Sequence, residues 1–386
     1  MHFIVRYPTT RDGFLSRNFS RTPRRSRPAL SAFWSVSAKF DANGPIERFR
    51  RRARFLLRAL GQPRLTRAWL ARIVQPDIAP LFAARPRLAL KIQRPYVSCA
   101  WSPSVRFAAL TRHYDLLGQL FVPATREAIY RGGLNLIRLA HPQSGGRWDL
   151  HLFYHDRFEK EGELTLAIRD VDSGVMLAGI TFCLTQNAGE RFAIIGGVQA
   201  ANDPRTRGLI HDTAKAMFGL RPKALLVWCL QQLAEPWRLT QIQAVGDAQH
   251  VWRHWRNRLE IAACYDDFWR ECDGRKLSGG GSWELPLNYQ TRLRAELKPS
   301  RRKTYERRYA MLGALRPRLL EALAAQASGR PADGPRAGGA TEFIWPDQGQ
   351  DLFLLPQGCG LPVTGPNSSV GSLGEKTNLP DTCHAA

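Results

Sequence analysis

The order of periodicities along the chain predicts an α+β fold: a helical N-terminal region, a central antiparallel-to-mixed sheet with crossover helices, and a basic C-terminal helix. Three observations carry this expectation. Apolar residues recur at helical spacing in segments between residues 45 and 131. From Asp149 the spacing changes to strand-like alternation. Beyond Val198, helix-start signals precede one more alternating run, so that a strand is reached through crossover helices.

The elements follow in order. Residues 1–45 form a basic arm. Five arginines lie among prolines and serines between Arg17 and Arg27, a composition that cannot bury a core. Residues 46–100 are an arginine-rich helical region. Ile46, Phe49, Phe55, Leu56 and Leu60 fall on or near one face, and Leu65, Trp69, Leu70 and Ile73 continue the pattern to Val74. Such basic amphipathic segments either pack on a neighbouring domain or lie on lipid surfaces. Residues 101–325 form the main α+β domain. Within it Ser104–Arg131 reads as helical, and Asp149–His155, Glu163–Arg169, Val175–Leu184 and Phe192–Val198 read as a four-stranded meander. Asn202, Asp203 and Pro204 announce a helix that closes at Gly219. Ala224–Leu233 is apolar nearly all round and so interior. Thr240–Val245 alternates again, and Asp247 is placed to cap a helix bearing His250 and His254. Trp283–Leu287 is a last short strand, and Leu293–Ala325 is a helix with basic residues near its start. Residues 326–386 are rich in glycine and proline, without period, and read as a disordered tail.

The chain carries 56 Lys and Arg against 33 Asp and Glu, a net charge of +23 over 386 residues. That balance points to anionic partners: acidic lipid, phosphorylated small molecules or nucleic acid. Arginine dominates the excess, and a GC-rich coding bias accounts for part of it. Seven cysteines without CxxC spacing suit a reducing compartment, with Cys99, Cys183 and Cys229 as buried thiols. The first ten residues lack a secretory-signal pattern and no run reaches transmembrane length. The expected location is cytoplasmic, possible as a peripheral association with the inner membrane.

Four constellations are candidate chemistry. His250 and His254 have the i, i+4 spacing of metal ligands, but the glutamate of H-E-x-x-H and a third ligand are missing, so no metal is expected. His211, Asp212 and Lys215 share a helix turn. Lys215, Arg221 and Lys223 surround a helix start with free N–H groups, an arrangement suited to phosphate. Tyr265, Asp266, Asp267, Trp269 and Glu271 make an acidic–aromatic knot. There Asp266 or Glu271 would serve as general base and His250 as acid, unless the carboxylates simply pair with arginines. No G-x-S-x-G, Walker A or dinucleotide fingerprint occurs.

Gly196, Gly197 and Gln199, the block from Thr213 through Lys215 to Gly219–Lys223, His250, and Tyr265–Glu271 together resemble the bacterial VirK/YbjX family. The basic run Lys298–Tyr309 matches the family's C-terminal signature, and the likeness covers His113–Leu319. Family resemblance implies a part in virulence and in resistance to cationic antimicrobial peptides, with unsettled chemistry. Ala200 stands where the family usually has glycine. The strand and helix order is also similar to the Gcn5-related acyltransferase core, an analogy of topology alone. On it, Arg205 and Arg207 follow the strand that leads to the coenzyme A pyrophosphate, although the full glycine cradle is absent. Gln199, Arg205, Arg207, Lys215, Arg221 and Lys223 are therefore the candidate contacts to a coenzyme A thioester. The rival expectation is a non-enzymatic adaptor that binds acidic lipid or nucleic acid.

Overall fold

The computed structural model describes residues 44–141, 144–200, 204–253, 264–278, 281–328 and 341–344. The expected basic arm, His254 and most of the glycine- and proline-rich tail lie outside them. The described residues are α+β, built on a nine-stranded sheet.

Helices lead. They are α1 (Pro45–Gly61), α2 (Pro63–Ile73), α3 (Ala79–Ala84), a 3₁₀ segment at Pro86–Gln93, α4 (Pro103–Leu120) and α5 (Pro123–Arg131). Each starts with proline at its first turn, where the missing N–H costs no helical bond. Pro123 also divides the expected single helix Ser104–Arg131 into α4 and α5. Phe55, Trp69, Ile73, Leu88 and Leu110 join the same buried cluster as the sheet.

The sheet opens with β1 (Leu134–Ala140), which the sequence reading did not identify. There follow β2 (Arg147–Phe153), β3 (Leu164–Asp170), β4 (Met176–Asn187) and β5 (Glu190–Ala200), each antiparallel to the one before. Helices α6 (Pro204–Ala216) and α7 (Pro222–Ala234) cross over to β6 (Leu239–Val245), which lies parallel to β5. A short helix α8 (Tyr265–Glu271) precedes the hairpin β7 (Arg275–Lys276) and β8 (Ser282–Leu285), which extends the sheet beyond β6. The long helix α9 (Pro299–Ser328) packs against β1, and β9 (Thr341–Ile344) pairs with β1 in parallel. That last strand lies inside the stretch expected to be unstructured; three β-prone residues, Thr341, Phe343 and Ile344, suffice for an edge strand once a partner edge is available.

Two local expectations are corrected. No α-helix carries His250: Asp247–Gln249 and Val251–Arg253 are single 3₁₀ turns, and His250 between them is extended. Asp247 still caps a helix, but a later one. Its carboxylate accepts from the N–H groups of Tyr265 (3.1 Å) and Asp266 (3.2 Å), two orphan donors at the start of α8. Cys183 and Cys229 are buried, whereas Cys99 is half-buried.

Candidate active site

The sheet parts where α6 and α7 cross over from β5 to β6. Pairing between β5 and β6 runs from Arg191 and Leu239 to Ile195 and Ala244 and then stops, while β5 continues beside β4 to Ala200. Gly196 marks the place with a bulge, because Thr181 faces Gly197 and Phe182 faces Ile195, leaving Gly196 unmatched. Beyond the bulge the Tyr265 hydroxyl takes the place of a strand neighbour, donating to the Val198 carbonyl (3.1 Å) and accepting from its N–H (3.4 Å).

The paired glycines have a specific occupant above them. A Cβ at Gly196 would overlap the backbone carbonyl of Glu161, and one at Gly197 would overlap the Glu161 carboxylate. Gly162 lets the same segment cross β4, since a Cβ there would meet the Phe182 backbone. Glu161 is thus delivered onto the bulge by absent side chains. Its carboxylate accepts from the Gln199 amide on one oxygen and from Trp252 Nε1 (2.8 Å) on the other. His250 is buried and its Nε2 lies 3.9 Å from that second oxygen, beyond hydrogen-bond length. The imidazole stacks on the Tyr265 ring at 4.6 Å. The backbone N–H of Trp252 approaches Nδ1 at 3.5 Å, which directs the proton of a neutral ring to Nε2, towards Glu161. Lys160 rests over the Trp252 ring at 4.0 Å.

Burial dominates the electrostatics here. It raises the Glu161 carboxyl to about 7 against the opposing pull of Trp252, Lys160 and Arg157. Burial, reinforced by the Glu161 charge, pushes the Tyr265 phenol above its ordinary value. Burial also lowers the Lys160 ammonium, with Arg94 adding repulsion. A carboxyl held near neutrality beside an imidazole has the chemistry that acid–base exchange requires.

The expected site residues fare unequally. His250 and Gln199 converge on Glu161. Asp266 is a structural clamp: it accepts from the Asp247 N–H (3.0 Å), Trp283 Nε1 (3.0 Å) and Lys276 Nζ (3.0 Å). Burial opposes its ionisation, but those donors prevail and its pKa falls below the ordinary value, the wrong direction for a base at neutral pH. Glu271 is exposed and engaged by Arg221 at 3.0 Å. The cations of the Gly219–Lys223 corner do not gather round a hollow. Arg221 is held by Glu271, Lys223 lies 4.4 Å over the Phe268 ring with burial lowering its pKa, and Lys215 is exposed. Arg207 is exposed on the first turns of α6, and the Arg205 side chain lies outside the described set. In the basic run at the start of α9, Arg308 donates to the Phe218 carbonyl (3.1 and 2.8 Å) and so closes the turn after α6.

Sequence reasoning missed Glu161, Trp252 and the contact of Tyr265 with the Val198 backbone. The signal was present in Glu159, Glu161 and Glu163, three alternating acids around Gly162 in a basic chain. All three are buried. Glu159 accepts from Arg87 (2.8 Å), and Glu163 accepts from Lys91 and from the Tyr114 hydroxyl (2.6 Å). Only the middle acid lacks a cation of this kind among its hydrogen-bond donors.

A family model described as "Protein of unknown function (DUF535)" matches residues 45–321. The chain is 32% identical over 309 residues to the "Uncharacterized protein YbjX" of Escherichia coli strain K12, covering 77% of this chain and 91% of the relative. It is 29% identical over 119 residues to an "Uncharacterized protein" of Haemophilus influenzae strain Rd, covering 31% of this chain and 40% of that relative.

Proposed function

The chain belongs to the VirK/YbjX family, whose model carries the description of unknown function (DUF535), and we propose that it is an enzyme transferring an acyl group from a thioester to an amine or hydroxyl. The observation that supports this reading is the Glu161 carboxyl, raised to about 7 and laid on the bulge where β5 leaves β6. In acyltransferases of the Gcn5-related kind, the acyl donor enters a parting between parallel strands, and this likeness of topology selects acyl transfer among proton-transfer reactions. Glu161 takes the proton of the acceptor N–H or O–H as its lone pair attacks the acyl carbon. It returns that proton to the sulfur as the C–S bond breaks. Trp252 and Gln199 hold the carboxylate through their N–H groups, with His250 beside it at 3.9 Å. Tyr265 holds open the end of β5 and presents its ring to the imidazole.

A coenzyme A donor is the natural thioester, but its phosphates would not find a ready cradle at the Gly219–Lys223 corner, where Arg221 is already paired. Arg207 on α6 is the exposed cation that follows β5 and the better candidate. We place the reaction in the cytoplasm, in the service of envelope integrity under cationic peptide stress, as the family resemblance implies. Among the described residues no helix is long and apolar enough to cross a membrane.

The test is a thermal-shift titration with acyl-coenzyme A, followed by thiol release in the presence of an amine acceptor. Ligand-dependent stabilisation, with thiol release that Glu161→Gln reduces by about 10²-fold or more, supports the proposal. No shift with coenzyme A or any acyl-thioester removes it.

A further inference from the structure

Helix α1 carries a surface that its own packing does not explain. Phe55 and Ala59 are buried and fix the helix to the body of the protein, and the Phe55 carbonyl accepts from Gln93 (3.4 Å). The opposite side is not polar. Ile46, Phe49, Leu57 and Leu60 are 55–70% exposed, and at about 100° per residue they fall within an arc of roughly 80°. Ala53 completes that stripe. Arg50, Arg54 and Arg58 run alongside it at spacings of four residues, and the helix holds six arginines against one glutamate.

We propose that α1 lies flat on an anionic phospholipid bilayer, its apolar stripe in the interface and its arginines on the headgroups. The argument is one of complementarity. Four large apolar side chains facing water are a liability for a free surface, and an interfacial helix needs this pairing of apolar stripe and flanking cations. Long arginine stems reach headgroups while the helix axis stays at the acyl boundary. A nucleic acid would use the arginines but leave the aliphatic stripe unsatisfied. A second copy would set two arginine-rich helices against each other and meet like-charge repulsion. The acyl-transfer reading neither requires this surface nor follows from it.

The full chain is sedimented with vesicles of phosphatidylglycerol and phosphatidylcholine, and with phosphatidylcholine alone. Binding is expected to the mixed vesicles only. It should weaken with salt as the Debye length shrinks, and fall by about tenfold or more in F49S/L57S. Both positions are exposed, so the melting temperature should stay at the wild-type value. An arginine variant, R50E/R54E, should lose binding to a similar extent. Failure of the wild type to bind mixed vesicles overturns the proposal, as does undiminished binding by F49S/L57S. Light scattering showing a wild-type dimer that F49S/L57S converts to monomer also overturns it, in favour of a second copy.

Discussion

Glu161 and the two glycines beneath it separate what a single side chain does for chemistry from what it does for stability. A base with a pKa of about 7 is half ionised at neutral pH, so kcat/KM should rise with pH through that value and level off above it. In Glu161→Gln both the activity and this inflection should vanish together, as a stopped assay across pH would register. The glycines differ from each other. Alanine at Gly196 would meet the Glu161 backbone, which cannot move without shifting the whole crossing. Gly196→Ala should therefore cost about 1–3 kcal/mol in urea unfolding. Alanine at Gly197 would meet the far end of a flexible side chain. Gly197→Ala should thus unfold near the wild-type midpoint while losing most of its activity, because the carboxylate is turned off the bulge. Equal stability losses at the two positions would contradict this geometry. None of this was legible from residue types alone. A glycine pair announces a close approach, but the partner is 35 residues earlier in sequence and is named only by the fold.

At the scale of elements, the parting of β5 from β6 depends on α8 as much as on the strands. Asp247 caps α8 while Asp266 on α8 accepts the Asp247 N–H, a reciprocal lock that sets Tyr265 against Val198. Gly246 is needed there, since a Cβ would crowd Asp266 Oδ1 and the Gly281 carbonyl. Tyr265→Phe removes the hydroxyl that serves both polar groups of Val198 and should cost about 1–3 kcal/mol. Faster amide exchange at Val198 would be its local signature, and unchanged protection there would mean that other groups carry that stretch of backbone. The strands and helices were largely readable, because their periods and proline starts are local properties. In the acid–aromatic knot Asp266 accepts from Asp247, Trp283 and Lys276, and Glu271 pairs with Arg221. Charge type is visible in sequence, but whether a carboxylate meets a lysine, an indole N–H or solvent is decided by packing. Arg221 and Glu271 illustrate the limit: two residues fifty positions apart close on each other and empty the expected anion site of its central cation. Strand β1 escaped notice because helical and strand-like spacing overlap in a seven-residue run following directly on a helix.

For the whole molecule, two buried groups impose opposite slopes on stability against pH. Burial, aided by the charge of Lys91, lowers His113 from 6.5 to about 3, against the Leu184 N–H that bonds its Nδ1. The unfolded chain binds that proton first, so this contribution is complete above 6.5 and is lost as pH falls towards 3. Glu161 runs the other way. Its folded pKa of about 7 lies above the unfolded 4.5, so the native state holds the extra proton, and stability declines as pH rises from 4.5 to 7. Across the overlap the two slopes oppose each other and flatten the wild-type profile. Glu161→Gln removes one of them. The difference in unfolding free energy between variant and wild type should be level below pH 4.5, climb through the interval to about 7, and remain level beyond. Its full height should be on the order of 3 kcal/mol, lessened by whatever the amide loses in its bond to Trp252. Urea titrations of both proteins at a series of pH values measure this curve directly. A variant that is stabilised equally at acid and neutral pH would show that the carboxyl is not held protonated by the fold. A variant less stable than wild type above pH 7 would show that the ionised carboxylate is welcome in its site, and the base would then have to be sought elsewhere.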